Sequence, residues 1–421
     1  MDHCAGQGLD ERFKMAVQIA IVKLAGRGEL CKTKLINWEY ANGIGWISCG
    51  LDLSMPAPDE FRWNIYDAGS ILSAVLADVI CMNTSESIEA LRKQWGKKLF
   101  ILGHYYQQDE VLRHADVTGD SLELARRAAA EREAERIVFC GVHFMAESAD
   151  ILSAPHQAIY MPDIHAGCPM ADMAPLREVL KVWQELQSLT TDWVPIVYVN
   201  SSAAIKAFCG EHGGSTCTSS NAATVFQWAF DQGRRILFIP DEHLGTNTAH
   251  DLGLPDEAVA VYDPGKPWGG VGADGIARAR VLVWKGYCHV HTFTADDIAS
   301  ARRKYPDAKI IVHPETPKAA CRLADAHGAT SRIIKYVEAS PAGSTVVIGT
   351  EWHLVDRLAR RHQGRLTILP LRQSACRNMI LTTEAKLLAL LERWPEEQIV
   401  RVPDLLRVNA RKALARMLEV K

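Results

Sequence analysis

No C-x-x-C pair occurs in this 421-residue chain, although it holds eleven cysteines: Cys4, Cys31, Cys49, Cys81, Cys140, Cys168, Cys209, Cys217, Cys288, Cys321 and Cys376. Compact zinc and redox motifs built on paired cysteines are therefore excluded, and any metal site must gather thiols from distant parts of the chain. The odd count argues against a disulfide framework, and so does the start MDHCAGQGLDERFK, which lacks the basic and apolar regions of a signal peptide. Most of the thiols are expected to be small buried hydrophobes. No uncharged apolar run reaches the length of a membrane span. An excess of one charge is also missing: 47 Lys and Arg against 50 Asp and Glu leave −3 with histidine neutral. That gives no electrostatic case for nucleic acid or an anionic membrane as partner. A cytoplasmic protein with small-molecule partners is the expectation.

A chain this long holds two to four domains. Residues 1–96 show no sustained period of 2 or 3.6 and read as an N-terminal extension of unclear structure. Met82 opens MNTSESIEALRKQWG, a capped-helix pattern that makes it a candidate native start. From residue 97 onward, short β-branched runs such as IVFC, IVYV, ILFI, KIIV and TVVI alternate with helical segments. That alternation predicts an α/β fold with parallel sheets.

One plan recurs three times. Strands end in polar clusters at FILGHYYQ (His104), PIVYVNSS (Tyr198, Asn200) and KIIVHPET (His313, Glu315). A hydroxyl follows 17, 19 and 17 residues later, at Ser121 (from His104), Ser219 (from Asn200) and Thr330 (from His313). A second strand comes next, and then a loop cysteine: Cys168, Cys288, Cys376. The repeats are placed at 97–190, 191–306 and 307–421, the last with a C-terminal helix. Parallel strands present their functional side chains at their carboxyl ends. Three similar α/β/α sandwich domains around a pseudo-threefold axis would aim three such ends at one point. One thiol per domain then meets two others, beside helix N-termini capped by Ser121, Ser219 and Thr330 that favour an anion. No Arg or Lys lies inside the polar clusters, so the helix ends must hold much of that anion. Taken singly, a histidine after a strand is more often structural than catalytic and a cysteine is more often buried than ligating; the threefold recurrence lifts them together.

Other motifs carry less. GGVGADG at 269–275 matches G-x-G-x-x-G but follows DPGKPW rather than a strand, and reads as a Gly-rich surface loop. His289 and His291 of CHVH point to opposite faces if extended. His313 and Glu315, two apart at a strand end, suit a base and a polar orienter, or a solvated turn.

LGHYYQ, GDSLELAR, CGVHFMAESADIL, MPDIHAGCPMADMA, YVNSSA, CTSSNA, PDEHLGTNT, WKGYCHVHTFT, VHPE and GTEWHLV stand in the order found in quinolinate synthases. Over residues 97 to 418 the chain resembles that family's longer branch, with extra residues at roughly 251–280. The resemblance implies a transferase of de novo NAD biosynthesis that condenses iminoaspartate with dihydroxyacetone phosphate to quinolinate, phosphate and water. It implies one [4Fe–4S] cluster on Cys168, Cys288 and Cys376, with one iron left open as a Lewis acid. Tyr106 and Glu315 would be the acid–base pair with His104 and His313 alongside. Ser121, Tyr198, Val199, Asn200, Ser219, His291, Pro314 and Thr330 would complete the substrate site. An aspartate-oxidising enzyme that supplies the imine is an implied associate. Thr316 stands where many relatives have cysteine, and Gly328-Ala329-Thr330 replaces the usual Gly-Ser-Thr. SACRNMILTT around Cys376 is the loosest match. A related iron–sulfur dehydratase acting on another dicarboxylate, and a non-catalytic metal-binding scaffold, are the rival readings.

Overall fold

The structure, a computed structural model, describes residues 36–41, 44–49 and 84–420. The chain divides into two units, Met1–Ser87 and Ile88–Lys421. In the first, strands β1 (Ile36–Ala41) and β2 (Ile44–Cys49) form an antiparallel hairpin in which Asn37 pairs with Ser48. Met82 lies outside the described residues.

The second unit holds three sheets. The first repeat supplies β3 (Leu99–His104), β4 (Val117–Gly119), β5 (Arg136–Cys140) and β6 (Ala158–Tyr160). The second supplies β7 (Trp193–Tyr198), β8 (Ser215–Cys217), β9 (Arg235–Ile239), β10 (Val259–Tyr262) and β11 (Val281–Trp284). The third supplies β12 (Lys309–Val312), β13 (Ala326–His327), β14 (Thr345–Gly349) and β15 (Thr367–Pro370). Their spatial orders are β4-β3-β5-β6, β8-β7-β9-β11-β10 and β13-β12-β14-β15; apart from β10, an extra edge strand in the second sheet, the permutation is the same each time, and every one of these pairings is parallel. The strands are near-continuous apolar runs, all six residues buried in β7, because helices cover both faces of a parallel sheet. The expected α/β architecture with three parallel sheets is what the chain adopts.

Three details differ from the sequence reading. The last part of the extension, helix 84–95, belongs to the second unit from Ile88 onward: Ile88 is fully buried, and Trp95 and Trp394, packed edge to face with ring centroids 5.2 Å apart, each hold the Arg136 guanidinium at 4.3 Å. The Gly-rich stretch is not a loop throughout; a 3₁₀ turn, Pro267–Gly270, leads into a short helix, Gly272–Arg278. Gly269, at φ 64°, is needed there because a Cβ would lie 2.3 Å from the Tyr262 ring.

The C-terminal segment also leaves the third repeat. Strand β16 (Ile399–Val400) adds antiparallel to β6 in the first sheet. Helix Asp404–Glu419 then packs on helix Ala203–Glu211 of the second repeat so closely that a Cβ on Gly210 would lie 1.9 Å from the Asn409 carbonyl oxygen. We expect Gly210→Ala to destabilise the fold by about 1–3 kcal/mol, read as a lowered denaturant midpoint. An unchanged midpoint would show that the two helices part without cost. Among the described residues no helix is long and apolar enough to cross a membrane.

Candidate active site

The leading strand of each repeat ends at one cavity. Its lining includes His104, Tyr106 and Ser121 from the first repeat, Tyr198, Asn200 and Ser219 from the second, and His313, Glu315 and Thr330 from the third. Cys168, Cys288 and His291 line it too.

The repeat extends to hydrogen bonding. His104 Nδ1 accepts the backbone N–H of Tyr106 at 3.1 Å, and His313 Nδ1 accepts that of Glu315 at 3.3 Å. Each ring therefore carries its proton on Nε2 while neutral. Burial lowers His104 from 6.5 to about 4, against the pull of Asp120, and His313 to about 3, aided by nearby His291. Both are neutral donors near pH 7, suited to oxygen atoms of an anionic ligand. The sign of the linkage follows. The unfolded chain takes up protons below pH about 6.5 that the folded rings refuse, so the ligand-free protein loses stability as pH falls from 6.5 towards 4, by this contribution. Urea midpoints across that range will check this; a midpoint that rises on acidification would contradict it.

A chain of hydrogen bonds links the remaining groups. Tyr106 Oη lies 2.9 Å from Thr350 Oγ1, which lies 3.1 Å from His291 Nε2. His291 Nδ1 lies 2.7 Å from Glu315 Oε2, and Tyr198 donates its hydroxyl to Glu315 Oε1. Thr330 donates to Tyr106 Oη at 3.2 Å. Burial pushes Tyr106 and Tyr198 well above 10, and the Glu315 charge adds to it, so both remain phenols. Burial alone would raise Glu315, but His291, His313 and Tyr198 outweigh it and hold the carboxyl low. The resting site is thus a carboxylate joined through His291 and Thr350 to a protonated phenol, a geometry that can pass a proton either way. We expect Thr350→Val, which removes the bridging hydroxyl, to cut turnover roughly tenfold at an unchanged denaturant midpoint; wild-type turnover would show that the bridge is idle.

The three loop cysteines share a local geometry that the other cysteines in residues 84–420 lack. Backbone N–H groups two or three residues on face each sulfur: Met170 and Ala171 for Cys168, Val290 for Cys288, Asn378 and Met379 for Cys376. No such group faces Cys140 or Cys217, Cys321 donates to the Thr316 carbonyl, and the N–H that faces Cys209 comes from Val197 on a neighbouring strand rather than from residues just after the cysteine. Each of the three loops is also latched by one equivalent bond. The carbonyl two residues before the cysteine accepts the first N–H of a neighbouring helix: Ala166 from His143 at 2.8 Å, Gly286 from Glu242 at 2.9 Å, Ser374 from Trp352 at 2.8 Å. Burial pushes the Cys168 thiol up to about 12 and lifts Cys288 well above its ordinary range, with the neighbouring thiols adding to both. A metal must therefore displace protons to bind there. A donor set of three thiols with N–H groups turned to the sulfurs suits an iron–sulfur cluster. Cys288 Sγ, a His291 nitrogen and a Glu315 oxygen lie within 4.8 Å of one another, so the thiol end and the acid–base end adjoin.

Several predicted roles shift. Ser121 and Thr330 are not caps but the first helical residues, after Asp120 and Ala329. Asp120 does the capping, accepting from Leu122 and Glu123, and its other oxygen takes the Ser220 hydroxyl of the second repeat at 2.8 Å. Ser219 precedes a helix that starts at Ala222 after Asn221. His289 and His291 sit on a 3₁₀ turn, not an extended strand, and His291 is buried. Val199 gives its N–H to the Cys217 carbonyl, and Pro314 gives its carbonyl to Asn247; neither is among the cavity-lining residues above. Asn200 lines the cavity with a buried, unpartnered Oδ1. Thr350, Phe144, Met145 and Met379 were not anticipated, though Thr350 lies in the GTEWHLV motif. Arg357 was also missed: it donates to the carbonyls of Tyr105 and Gln107 and so fixes the backbone on both sides of Tyr106. Lys206, fully buried behind Phe144, adds a cation that the polar clusters themselves lack.

Cys376 is not among the lining residues of the cavity; fold and cavity together define a three-sheet α/β enzyme with a hydrogen-bonded Tyr106–Thr350–His291–Glu315 chain set against the Cys168 and Cys288 thiols. Comparison with known proteins narrows the class. Residues 86–419 match the family model described as quinolinate synthetase A protein. The chain is 47% identical over 332 residues to the quinolinate synthase of Corynebacterium glutamicum, covering 77% of this chain and 84% of that one. It is 45% identical to that of Bacillus subtilis strain 168, covering 79% and 92%, and 48% identical to that of Geobacillus sp. strain WCH70, covering 79% and 92%. The chain belongs to the quinolinate synthetase A family.

Proposed function

We propose that the chain condenses iminoaspartate with dihydroxyacetone phosphate to quinolinate, releasing phosphate and water, as a step of NAD biosynthesis. Cys168, Cys288 and Cys376 would hold a [4Fe–4S] cluster. The observation that carries this reading is the adjacency of the Cys288 thiol to His291 and Glu315 within 4.8 Å. When bound, the cluster supplies Lewis acidity through the iron that no cysteine holds.

The chain's own residues account for the rest. The Nε2–H groups of His104 and His313 bind carboxylate or phosphate oxygens, with the Ser121, Ser219 and Thr330 hydroxyls and the Asn200 amide beside them. Such bonds are strengthened by the ligand's charge. Glu315 removes protons from carbon or nitrogen during the condensation, and Tyr106 returns a proton to a departing oxygen. The Tyr106–Thr350–His291–Glu315 chain resets both between steps. The imine is hydrolytically fragile, so delivery from an aspartate-oxidising enzyme in the same compartment fits the reading.

Anaerobic purification followed by turnover tests it. We expect brown protein with about four irons per chain, and quinolinate from the two substrates. Brown protein that makes no quinolinate but dehydrates another dicarboxylate would favour the related dehydratase. The spacing of Cys288, His291 and Glu315 also allows a single divalent cation, at the cost of the His291–Glu315 bond. Colourless, zinc-containing protein that stays active in air would establish that reading and overturn the cluster.

A further inference from the structure

The three cysteine loops share a latch, but the third carries an extra bond. The residue before the latching helix is Val142 in the first repeat, Asp241 in the second and Glu351 in the third. Val142 has no side-chain acceptor. Asp241 caps its helix through Oδ1, which accepts from Leu244 at 2.6 Å, and leaves Oδ2 buried and unpartnered. Glu351, one methylene longer, both caps and reaches the loop. Its Oε2 accepts the His353 N–H at 2.7 Å, and its Oε1 accepts the N–H of Cys376 itself at 3.1 Å and lies 2.9 Å from His353 Nδ1. The carboxylate is fully buried. The residue before it, Thr350, is the hydroxyl that touches Tyr106 and His291.

We propose that Glu351 is a positioning residue that fixes the Cys376 loop against helix Trp352–Arg361 and so registers the third thiol with the Tyr106–His291 end of the site. This extends the proposed function, because it assigns Glu351 a part in holding the cluster. The physical reason is specific to the third loop. Cys376 stands in an irregular stretch with partly exposed neighbours; the Ser374 carbonyl latch and the Ser374 hydroxyl bond to the Val290 carbonyl at 2.7 Å hold the loop two residues upstream, whereas the Glu351 bond acts on the N–H of Cys376 itself. Groups that orient a metal ligand typically govern affinity by ten- to a hundredfold.

The test has two readouts. In metal-free protein, alkylation by iodoacetamide is followed at Cys168, Cys288 and Cys376 by peptide mass spectrometry. Glu351→Ala should accelerate Cys376 several-fold and leave the other two sites at wild-type rates. Glu351→Gln, whose amide oxygen can still accept the Cys376 N–H, should fall between the two. In iron-loaded protein, chelator-driven loss of the brown chromophore should be about tenfold faster in Glu351→Ala. Ser202→Ala, which removes the capping hydroxyl of helix Ala203–Glu211, controls for loss of a helix cap alone and should leave Cys376 labelling unchanged. If Glu351→Ala does not fold, Glu351→Gln alone must still exceed wild type at Cys376. Equal Cys376 labelling in wild type and the Glu351 variant, or acceleration shared with Ser202→Ala, overturns the proposal. Wild-type protein that takes up no iron would instead overturn the cluster reading, and the labelling comparison would still decide the role of Glu351.

Discussion

Cys288→Ser protein should purify folded and colourless, with iron falling from about four per chain to near zero. Cys288 is the thiol that joins the two halves of the site, since the Cys168 and Cys376 thiols act on it electrostatically and its sulfur lies within 4.8 Å of a His291 nitrogen and a Glu315 oxygen. Serine offers a hydroxyl that does not ionise at neutral pH, so two thiolates would have to hold a cluster built for three. The fold should tolerate the change, because Cys288 is only partly buried and its loop is latched through Gly286 rather than through sulfur. Cys321→Ser is the matched control. Its thiol donates to the Thr316 carbonyl at 3.3 Å, a bond that a hydroxyl can replace, and iron should be retained. Iron retained in Cys288→Ser, or lost equally in Cys321→Ser, would remove Cys288 from the ligand set.

Glu315→Gln should do the opposite, keeping iron while turnover falls by about 10²–10⁴. The side chain is isosteric, but the amide cannot accept a proton. One of its ends would also present N–H donors to either the Tyr198 hydroxyl or His291 Nδ1, both of which now donate to the carboxylate. Steady-state kinetics with iron measured on the same sample separates the cases. Turnover within threefold of wild type would rule out Glu315 as the base.

The repeat made much of this readable in advance. Three strands ending in polar clusters, each followed at similar spacing by a hydroxyl and then a cysteine, predicted sheets that the structure shows in one common strand order. What stayed hidden depended on contacts without a sequence period. Thr350 and Arg357 act across repeats on Tyr106, and nothing in GTEWHLV says which neighbour they face. Asp120, not Ser121, caps its helix, because the Asp carboxylate accepts two N–H groups and frees the serine hydroxyl for the cavity. The route of the last residues was misplaced for a similar reason. ARKALARMLEV is an amphipathic helix whose own pattern cannot say on which repeat its apolar face settles.

That route has a consequence for biosynthesis. The outer side of β6 is covered by β16, which arrives some 240 residues later in the chain. While the polypeptide is still emerging from the ribosome, the first sheet presents a bare rim able to pair with another nascent chain. Expression should therefore gain more from slow synthesis or a holding chaperone than the finished protein's compactness suggests.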